Sequence, residues 1–127
     1  MTPEPITIEP HETVKAAFAR MGERKIRHLP VVLKGKLVGI VSDRDIRTCL
    51  PPVEGNEGEL ALAKRLLEQP VRQHMTEAVR HLPSTADVAE AVDLMLEHRF
   101  GCLPVVDGDE LVGVITYFDL LAHLRPR

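Results

Sequence analysis

Two stretches of this chain decide its fold: VKAAFARMGERKIRHLPVVLKGKLVGIVSDRDI, residues 14–46, and VAEAVDLMLEHRFGCLPVVDGDELVGVITYFDL, residues 88–120. They align without a gap at an offset of 74 residues, and the identical positions in the first copy include Val14, Met21, Leu29, Gly39 and Asp45. At the same offset, Met1-Thr2 falls on Met75-Thr76. A fixed internal period indicates a repeat architecture. The sequence therefore predicts two copies of one structural unit.

Each copy begins with a short extended run and an amphipathic helix. The runs are ITIEP and VRHLP, closed by Pro10 and Pro83. The helices are predicted from apolar residues at positions i, i+3, i+4 and i+7: Val14, Ala17, Phe18 and Met21 in the first copy, and Val88, Ala91, Val92 and Met95 in the second. Ser84, three residues before Asp87, is expected to cap the second of these helices.

Each copy ends with a predicted β-hairpin and a further helix. HLPVVLKGKLVGIVS and CLPVVDGDELVGVIT each contain two apolar strands around a turn with glycine. The following helices are expected from Asp43 to about Cys49 and from Tyr117 to about Leu124. Each unit thus reads β-α-β-β-α, which makes the fold class α+β.

One such unit, at roughly 50 residues, is too small to bury both faces of its sheet and helices. We therefore expect the two copies to pack together about a pseudo-two-fold axis. The predicted boundaries are residues 1–50 for the first repeat, 51–70 for a linker with a helix at ELALAKRLLEQ, and 71–127 for the second repeat.

Composition excludes several classes of protein. Sixteen basic and nineteen acidic side chains give a net charge of −3, which argues against a nucleic-acid-binding protein. No apolar run approaches the roughly 18 residues of a membrane span, and the N-terminus has no signal-peptide pattern, so a cytoplasmic protein without membrane contact is expected. Cys49 and Cys102 fit no zinc or redox spacing and are expected as reduced thiols, at least one of them buried.

Catalytic and metal-binding patterns are not found in the sequence. The six histidines form no HxxxH or HExxH pair, so no metal site is predicted. The chain contains no GxSxG, no phosphate-binding P-loop and no pattern that pairs a nucleophile with a base. The prediction is a protein that is not an enzyme.

The septets GIVSDRD, residues 39–45, and GVITYFD, residues 113–119, allow two interpretations. A hydroxyl residue followed three positions later by Asp is typical of a capping box at a helix start. The same geometry suits a nucleotide, because a helix N-terminus attracts phosphate and a carboxylate can accept hydrogen bonds from both hydroxyls of a ribose. The two interpretations are compatible, and both are kept open.

These residues together resemble a known family. The MT at the start of each copy, RHLPVV and GCLPVV, and the Gly-x-apolar-Ser/Thr-x-x-Asp motif resemble the cystathionine-β-synthase (CBS) domain, here as a tandem pair or Bateman module similar to stand-alone bacterial CBS proteins. The resemblance implies a non-catalytic regulatory sensor. It would bind an adenosine-containing ligand of the AMP, ADP and ATP class in clefts between the repeats, with no cofactor required.

The resemblance also implies the binding residues. Asp45 and Asp119 match the ribose-binding aspartates of the family, and Ser42 and Thr116 match its phosphate-contacting hydroxyl residues. Basic residues near the first septet would contact phosphate: Arg27, His28 and Arg44. The adenine pocket would be lined by Pro5, Ile6, Thr7, Leu29, Pro30 and Val31, and by Val79, Arg80, His81, Leu103, Pro104 and Val105. The second copy has Gly101 and Cys102 where the first has Arg27 and His28, so the first septet is predicted to be the stronger phosphate site.

The expected partners also follow from the resemblance. The apolar residues of FDLLAHL suggest a helix face that remains to be covered, and the family implies a disc-shaped homodimer formed through these helices. A separate effector protein would receive the signal. The alternative is a ligand-free homodimerisation or protein-docking module whose septets only cap helices.

Overall fold

The computed structural model describes residues 2–3, 5–50, 56–77, 80–98 and 101–124. Its strands are β1 (Thr2–Pro3), β2 (His28–Leu33), β3 (Lys36–Ser42), β4 (Cys102–Asp107) and β5 (Glu110–Thr116). Its helices are α1 (Val14–Arg24), α2 (Asp43–Arg47), α3 (Glu57–Glu68), α4 (Val88–His98) and α5 (Tyr117–Leu124), with a 3₁₀ turn at Val71–Gln73. No helix in these described residues is long and apolar enough to cross a membrane.

Both predicted hairpins are confirmed. β2 pairs antiparallel with β3, and β4 pairs antiparallel with β5. The register shifts once in each hairpin, between Val31 and Val32 and between Val105 and Val106, so the two copies share even this irregularity. The first hairpin turns through Lys34 and Gly35, whose φ angles are 52° and 82°. Two successive positive φ angles are the conformation of a two-residue hairpin turn that follows the twist of the strands.

The first strand of each repeat is much shorter than the sequence analysis predicted. ITIEP and VRHLP are reduced to single parallel bridges, from Ile8 to Val31 and from Leu82 to Val105. Pro10 has no N–H to extend the first ladder. The Glu9 N–H is also unavailable, because it donates instead to the Glu12 carboxylate at 2.8 Å. A proline and a local side-chain acceptor therefore end the strand.

The equivalent helices α1 and α4 are capped by equivalent residues. The Thr13 hydroxyl accepts from the Ala16 N–H at 3.1 Å, and the Asp87 carboxylate accepts from the Glu90 N–H at 2.9 Å. The prediction that Ser84 caps α4 is therefore wrong. Asp87 itself precedes the first helical residue, and the Ser84 N–H donates to Asp107 at 2.9 Å.

Contacts between the repeats obey a pseudo-two-fold axis, as predicted. Lys36 pairs with Glu110, its own equivalent in the other copy. Thr2 pairs with Val114, and the equivalent Thr76 pairs with Ile40. Thr2 and Pro3 thus lie against the second hairpin, and Thr76 lies against the first. This exchange joins the two copies into one α+β structure.

The hydrophobic core also crosses the repeat boundary. Val71 precedes the second Met-Thr segment in the chain, yet it is fully buried in the core of the first repeat with Ile8, Val14 and Leu29. The predicted linker helix is present as α3 and packs against α1. A separate core holds Leu82, Ala91, Met95 and Leu103 in the second repeat. Of the two cysteines, Cys102 is buried and Cys49 is exposed, so the expectation of a buried thiol is confirmed.

Candidate functional site

Both septets occupy the junction of a hairpin strand and the following helix. In the first, the Asp45 N–H donates to the Ser42 hydroxyl and the Ser42 N–H donates to the Asp45 carboxylate, each at 3.0 Å. In the second, Asp119 donates to the Thr116 hydroxyl at 3.3 Å and accepts from the Thr116 N–H at 2.9 Å. The capping-box interpretation is therefore confirmed. A carboxylate offers about four acceptor positions, so this bond leaves capacity for a ligand hydroxyl.

Gly39 has a structural task that the sequence analysis did not foresee. A Cβ atom at this position would lie 2.6 Å from the Met75 sulfur and 3.0 Å from the Thr76 carbonyl oxygen. In the second septet, Gly113 pairs with Pro3 of the exchanged segment. The first glycine therefore admits the Met-Thr segment of the other repeat.

His28 lies between the two repeats. It pairs with Ser42 across the first hairpin, and its Cε1 atom is 3.7 Å from the position that a Cβ of Gly101 would take. The Tyr117 ring lies 3.5 Å from the same position. The first repeat therefore extends a histidine toward the helix start of the second repeat. A Cβ at position 101 would make only ordinary van der Waals contacts with the two rings.

Burial lowers the pKa of His28, and Arg27 lowers it further, while Asp43 and Asp45 act in the opposite direction. The imidazole is therefore neutral at pH 7, since even an unperturbed histidine has a pKa of about 6.5. A neutral ring still has one N–H to donate. A bound anion would favour its protonated form and raise its pKa again.

The predicted arginines lie at the surface. Arg27 lines a depression of about 420 Å³ together with Phe18, Lys25, Asp43 and Arg47. Arg47 forms an ion pair with Asp43. Arg44 is exposed on α2. In the described part of the chain, neither Arg27 nor Arg44 forms a side-chain hydrogen bond or ion pair, so both guanidinium groups are available.

The predicted adenine-pocket residues fall into two groups. Those in β2 and β4 are fully buried or nearly so: Leu29, Pro30, Val31, Leu103, Pro104 and Val105. Their burial places these residues in the hydrophobic core. Pro5, Ile6 and Thr7 are partly exposed, Arg80 and His81 are exposed, and Val79 lies outside the described residues.

Arg20 positions the first of these segments, a residue that the sequence analysis missed. Its guanidinium donates to the Thr7 carbonyl at 2.8 Å and forms a two-bond pair with Glu12 at 2.8 and 3.1 Å. The hydrogen bond from Arg20 lowers the pKa of the Glu12 carboxyl, so the pair is charged at neutral pH. The second repeat has Leu94 and Ala86 at these positions. Only the first repeat has this clamp.

A cleft of about 270 Å³ lies between the two hairpins. Its walls come from both repeats: Leu37, Val38 and Gly39 from the first, and His81, Val106, Gly108 and Asp109 from the second. Two residues singled out from the sequence, Gly39 and His81, therefore meet in one cleft. The hairpin-turn residues Gly108 and Asp109 were missed, because only the packing of one hairpin on the other brings them there.

Comparison with known proteins identifies the family. The sequence model of the CBS domain matches residues 1–52 and 71–126. The Methanocaldococcus jannaschii protein MJ1225 is 34% identical over 128 residues, which cover 94% of this chain and 45% of that protein. The CBS domain-containing protein YhcV of Bacillus subtilis is 32% identical over 124 residues, covering 97% of this chain and 81% of YhcV. The chain thus spans less than half of the first relative and most of the second.

Solved structures agree with this result. The crystal structure of CBSX2, a CBS-pair protein of Arabidopsis thaliana, in complex with AMP superposes with a TM-score of 0.81. It is 29% identical, and the match covers 98% of this chain and 91% of that one. The structure of MJ1225 superposes with a TM-score of 0.88 at 25% identity, over 98% of this chain and 46% of that one. The chain therefore belongs to the CBS-domain family, as a tandem pair.

Proposed function

We propose that this chain is a non-catalytic regulatory module that binds an adenosine-containing ligand of the AMP, ADP and ATP class between its repeats. The observation that carries the proposal is the cleft between the hairpins, in which Gly39 and His81 meet; the septet aspartates Asp45 and Asp119 are not among the residues that line it. The AMP complex of the CBSX2 structure supports the class of ligand. We further propose the repeat boundaries 1–50 and 71–127 around the linker 51–70, and a cytoplasmic location.

The position of the cleft suggests how binding would act as a switch. The cleft of about 270 Å³ has walls from both hairpins, so a ligand in it would contact both repeats at once. Because a ligand shifts an equilibrium only by binding two shapes unequally, such a ligand would act as a switch by favouring one placement of the hairpins, and with it one surface offered to a separate effector protein.

The capped aspartates are the proposed ribose ligands. Asp45 and Asp119 are held by backbone N–H groups in the same geometry, so each carboxylate is fixed before a ligand arrives. Ser42, Thr116 and the N-termini of the following helices would then donate hydrogen bonds to the phosphate. Fixed acceptors favour binding, since little side-chain freedom remains to be lost.

The two proposed sites differ in charge. Arg27, His28 and Arg44 of the first repeat stand where the second repeat has Gly101, Cys102 and Phe118. We propose that phosphate binds near His28, which lies closest to the contact between the repeats. The first septet would then bind a nucleotide phosphate more tightly than the second.

Arg20 supplies a sharper test of the proposed adenine wall. Replacing Arg20 by Leu, the residue at the equivalent position 94, removes the bond that holds the Thr7 carbonyl. We expect nucleotide affinity to fall several-fold while the chain remains folded. Unchanged affinity in Arg20→Leu would show that the segment Pro5–Thr7 does not contact the ligand.

A specific observation favours a second function, a homodimerisation or docking module that needs no ligand. Tyr117, Phe118 and Leu121 of α5 are exposed by 47%, 85% and 66%, and Leu96 of α4 by 71%. Exposed apolar patches of this kind mark interaction surfaces. We propose that they join two chains into a disc-shaped homodimer, which is compatible with nucleotide binding and would persist without it.

Thermal denaturation with AMP, ADP, ATP, S-adenosylmethionine or NAD separates the two functions. A ligand at 100 times its Kd stabilises the folded chain by about 2.7 kcal/mol, which raises the Tm by roughly 10 °C for a chain of this size. At least one adenine nucleotide is expected to do so. No shift with any of them at millimolar concentration would leave the ligand-free module as the better account.

A further inference from the structure

The first repeat has a surface depression of about 420 Å³ where α1 ends and α2 begins. Phe18, Met21 and Ile26 give it an apolar lining, and we call it the α1 depression. Gly22 lines it too, and a Cβ atom at this position would meet no atom of the described residues within 4 Å. The missing side chain of Gly22 therefore leaves room for an apolar group from outside the chain.

The second repeat has large side chains at the equivalent positions. Leu96 stands where the first repeat has Gly22, and Leu121 stands where it has Arg47. These two leucines are exposed by 71% and 66%. We call the surface that they mark the α4–α5 face. The pseudo-two-fold axis thus relates a depression in the first repeat to an exposed apolar face in the second.

The same side of the first repeat is also exposed. Gly22 and Arg47 are exposed on it, although α3 follows that repeat and packs against α1. By the pseudo-two-fold relation, Leu96 and Leu121 lie on a side of their repeat that a helix placed like α3 does not cover. Exposed apolar surface of this kind marks a place of contact with another molecule.

The α1 depression is positively charged. Lys25 and Arg27 both line it. Arg47 lines it as well, but in an ion pair with Asp43, so this pair adds no net charge. A partner that fills the depression should therefore have an apolar centre and acidic residues around it.

The α4–α5 face has this character. Asp93 and Glu97 are exposed on α4, three positions before Leu96 and one position after it. The whole of α4 contains three acidic residues and no Lys or Arg, whereas α1 contains three basic residues and one acidic residue. Two α4–α5 faces placed against each other would bring like charges together, which is unfavourable, while the α1 depression offers the opposite charge.

We propose that the two chains of the homodimer lie head to tail, with the α4–α5 face of each chain seated on the α1 depression of the other. This arrangement rests on the proposed homodimer and names the surface that its exposed leucines contact. Leu96 of one chain enters the space beside Gly22 of the other, and Asp93 lies near Lys25. A two-fold axis forms this contact twice, because each surface then meets its complement on the second chain.

The opposite arrangement, in which equivalent repeats meet, fits the two surfaces poorly. It would set Leu96 of one chain against Leu96 of the other. It would also leave two α1 depressions facing each other, and the side chains around such a void lose the contacts that close packing supplies.

Cross-linking between single cysteines distinguishes the two arrangements. Exposed Cys49 is replaced by Ser in every chain, while buried Cys102 is kept. Gly22→Cys and Asp93→Cys then each add one thiol at an exposed position. The two variants are incubated alone and as a mixture whose chains exchange, and each sample is treated with a short bismaleimide. Nucleotide is left out, because Arg27 is also a proposed phosphate residue. We expect a covalent dimer in the mixture only, with positions 22 and 93 joined in mass spectrometry.

Filling the α1 depression gives a second measurement. Gly22→Leu is expected to raise the dissociation constant of the dimer at least about tenfold in sedimentation experiments, because two leucines then compete for one space. Lys15→Leu is the matched control, since it adds the same side chain at an exposed position of α1 outside the depression. It should leave the dissociation constant unchanged. Circular dichroism confirms that both variants are folded.

Four results would overturn the proposal. A covalent dimer from Gly22→Cys alone or from Asp93→Cys alone would show that equivalent repeats meet. A dimeric mixture without a link between positions 22 and 93 would exclude the contact. Undiminished dimerisation of Gly22→Leu would show that nothing enters the depression. A monomeric parent would overturn the homodimer as well. Since nucleotide is absent throughout, none of these results bears on ligand binding.

Discussion

Replacing Gly39 by Ala tests how the two repeats are joined. The added Cβ would lie 2.6 Å from the Met75 sulfur and 3.0 Å from the Thr76 carbonyl oxygen. The sulfur belongs to a flexible side chain and can move. The carbonyl cannot move freely, because it accepts the Ile40 N–H at 3.0 Å and holds the exchanged segment in place. We expect a loss of about 2 kcal/mol in the free energy of unfolding, and a Tm lower by roughly 5–10 °C.

Gly22→Ala is the matched control for this measurement. Gly22 lies inside α1, and a Cβ there would meet no atom within 4 Å. Alanine should stabilise this helix by about 0.5–1 kcal/mol, because it restricts the unfolded chain and favours the helix. Both variants are compared with the parent by urea and thermal denaturation. A Gly39→Ala variant as stable as the parent would refute the close packing of the Met75-Thr76 segment on the first hairpin.

Three further predictions concern charge, exposure and association. In sedimentation experiments, Phe118→Asp is expected to shift the chain from dimer toward monomer. Arg44→Asp, at the equivalent position of the first repeat, should leave the dimer intact. Equal sedimentation of the two variants would exclude α5 as the contact between the two chains. The pKa of His28 is lower in the folded chain than in the unfolded chain, so on acidification the unfolded chain binds a proton at this residue first. The free energy of unfolding should therefore fall as the pH drops below about 6.5, and it should fall less steeply in His28→Gln. Burial raises the pKa of Cys102 to about 11, so a thiol reagent should modify exposed Cys49 in the native chain and Cys102 only after denaturation; rapid reaction of both would contradict the packing around β4.

The local elements were predictable because short-range patterns determine them. The apolar spacing of Val14, Ala17 and Met21 appears as the buried face of α1. The hydroxyl and carboxylate of Ser42 and Asp45 form the capping box that their spacing predicts. A repeat also constrains its own interpretation, since each copy has to satisfy the same pattern. The α+β class and the pseudo-two-fold packing followed from these features.

Contacts between distant segments were not predictable in this way. Val71 lies just before the second Met-Thr segment in the sequence, but its side chain is buried in the core of the first repeat, because α3 packs against α1 and brings the chain back to that repeat. Gly39 opens the first septet, and nothing in the septet pattern reports that it makes room for Met75 and Thr76. Periodicity reports which face of an element is apolar and does not report which distant segment covers it.

In the candidate site, too, the local geometry was predictable and the contacts between distant residues were not. The sequence singled out Asp45 and Asp119, and the structure gives both the same capped geometry. It did not single out Arg20, whose bond to the Thr7 carbonyl depends on a contact between residues 13 positions apart. Nor did it predict that His28 approaches Gly101 and Tyr117, which follows from the packing of one repeat on the other.

The central claim is that the septet aspartates hold an adenine nucleotide between the repeats, and calorimetric titration tests it most directly. AMP, ADP and ATP are titrated into the parent, Asp45→Asn and Asp119→Asn. Asparagine keeps an oxygen to accept the capping N–H but loses the charged acceptor for a ribose diol. We predict that the parent binds an adenine nucleotide saturably. Each variant should bind it at least about tenfold more weakly, because a charge-assisted hydrogen bond to the ribose is lost, and the loss should be larger for Asp45→Asn than for Asp119→Asn. Nucleotide binding of undiminished affinity in both variants, or no binding by the folded parent, would contradict the claim.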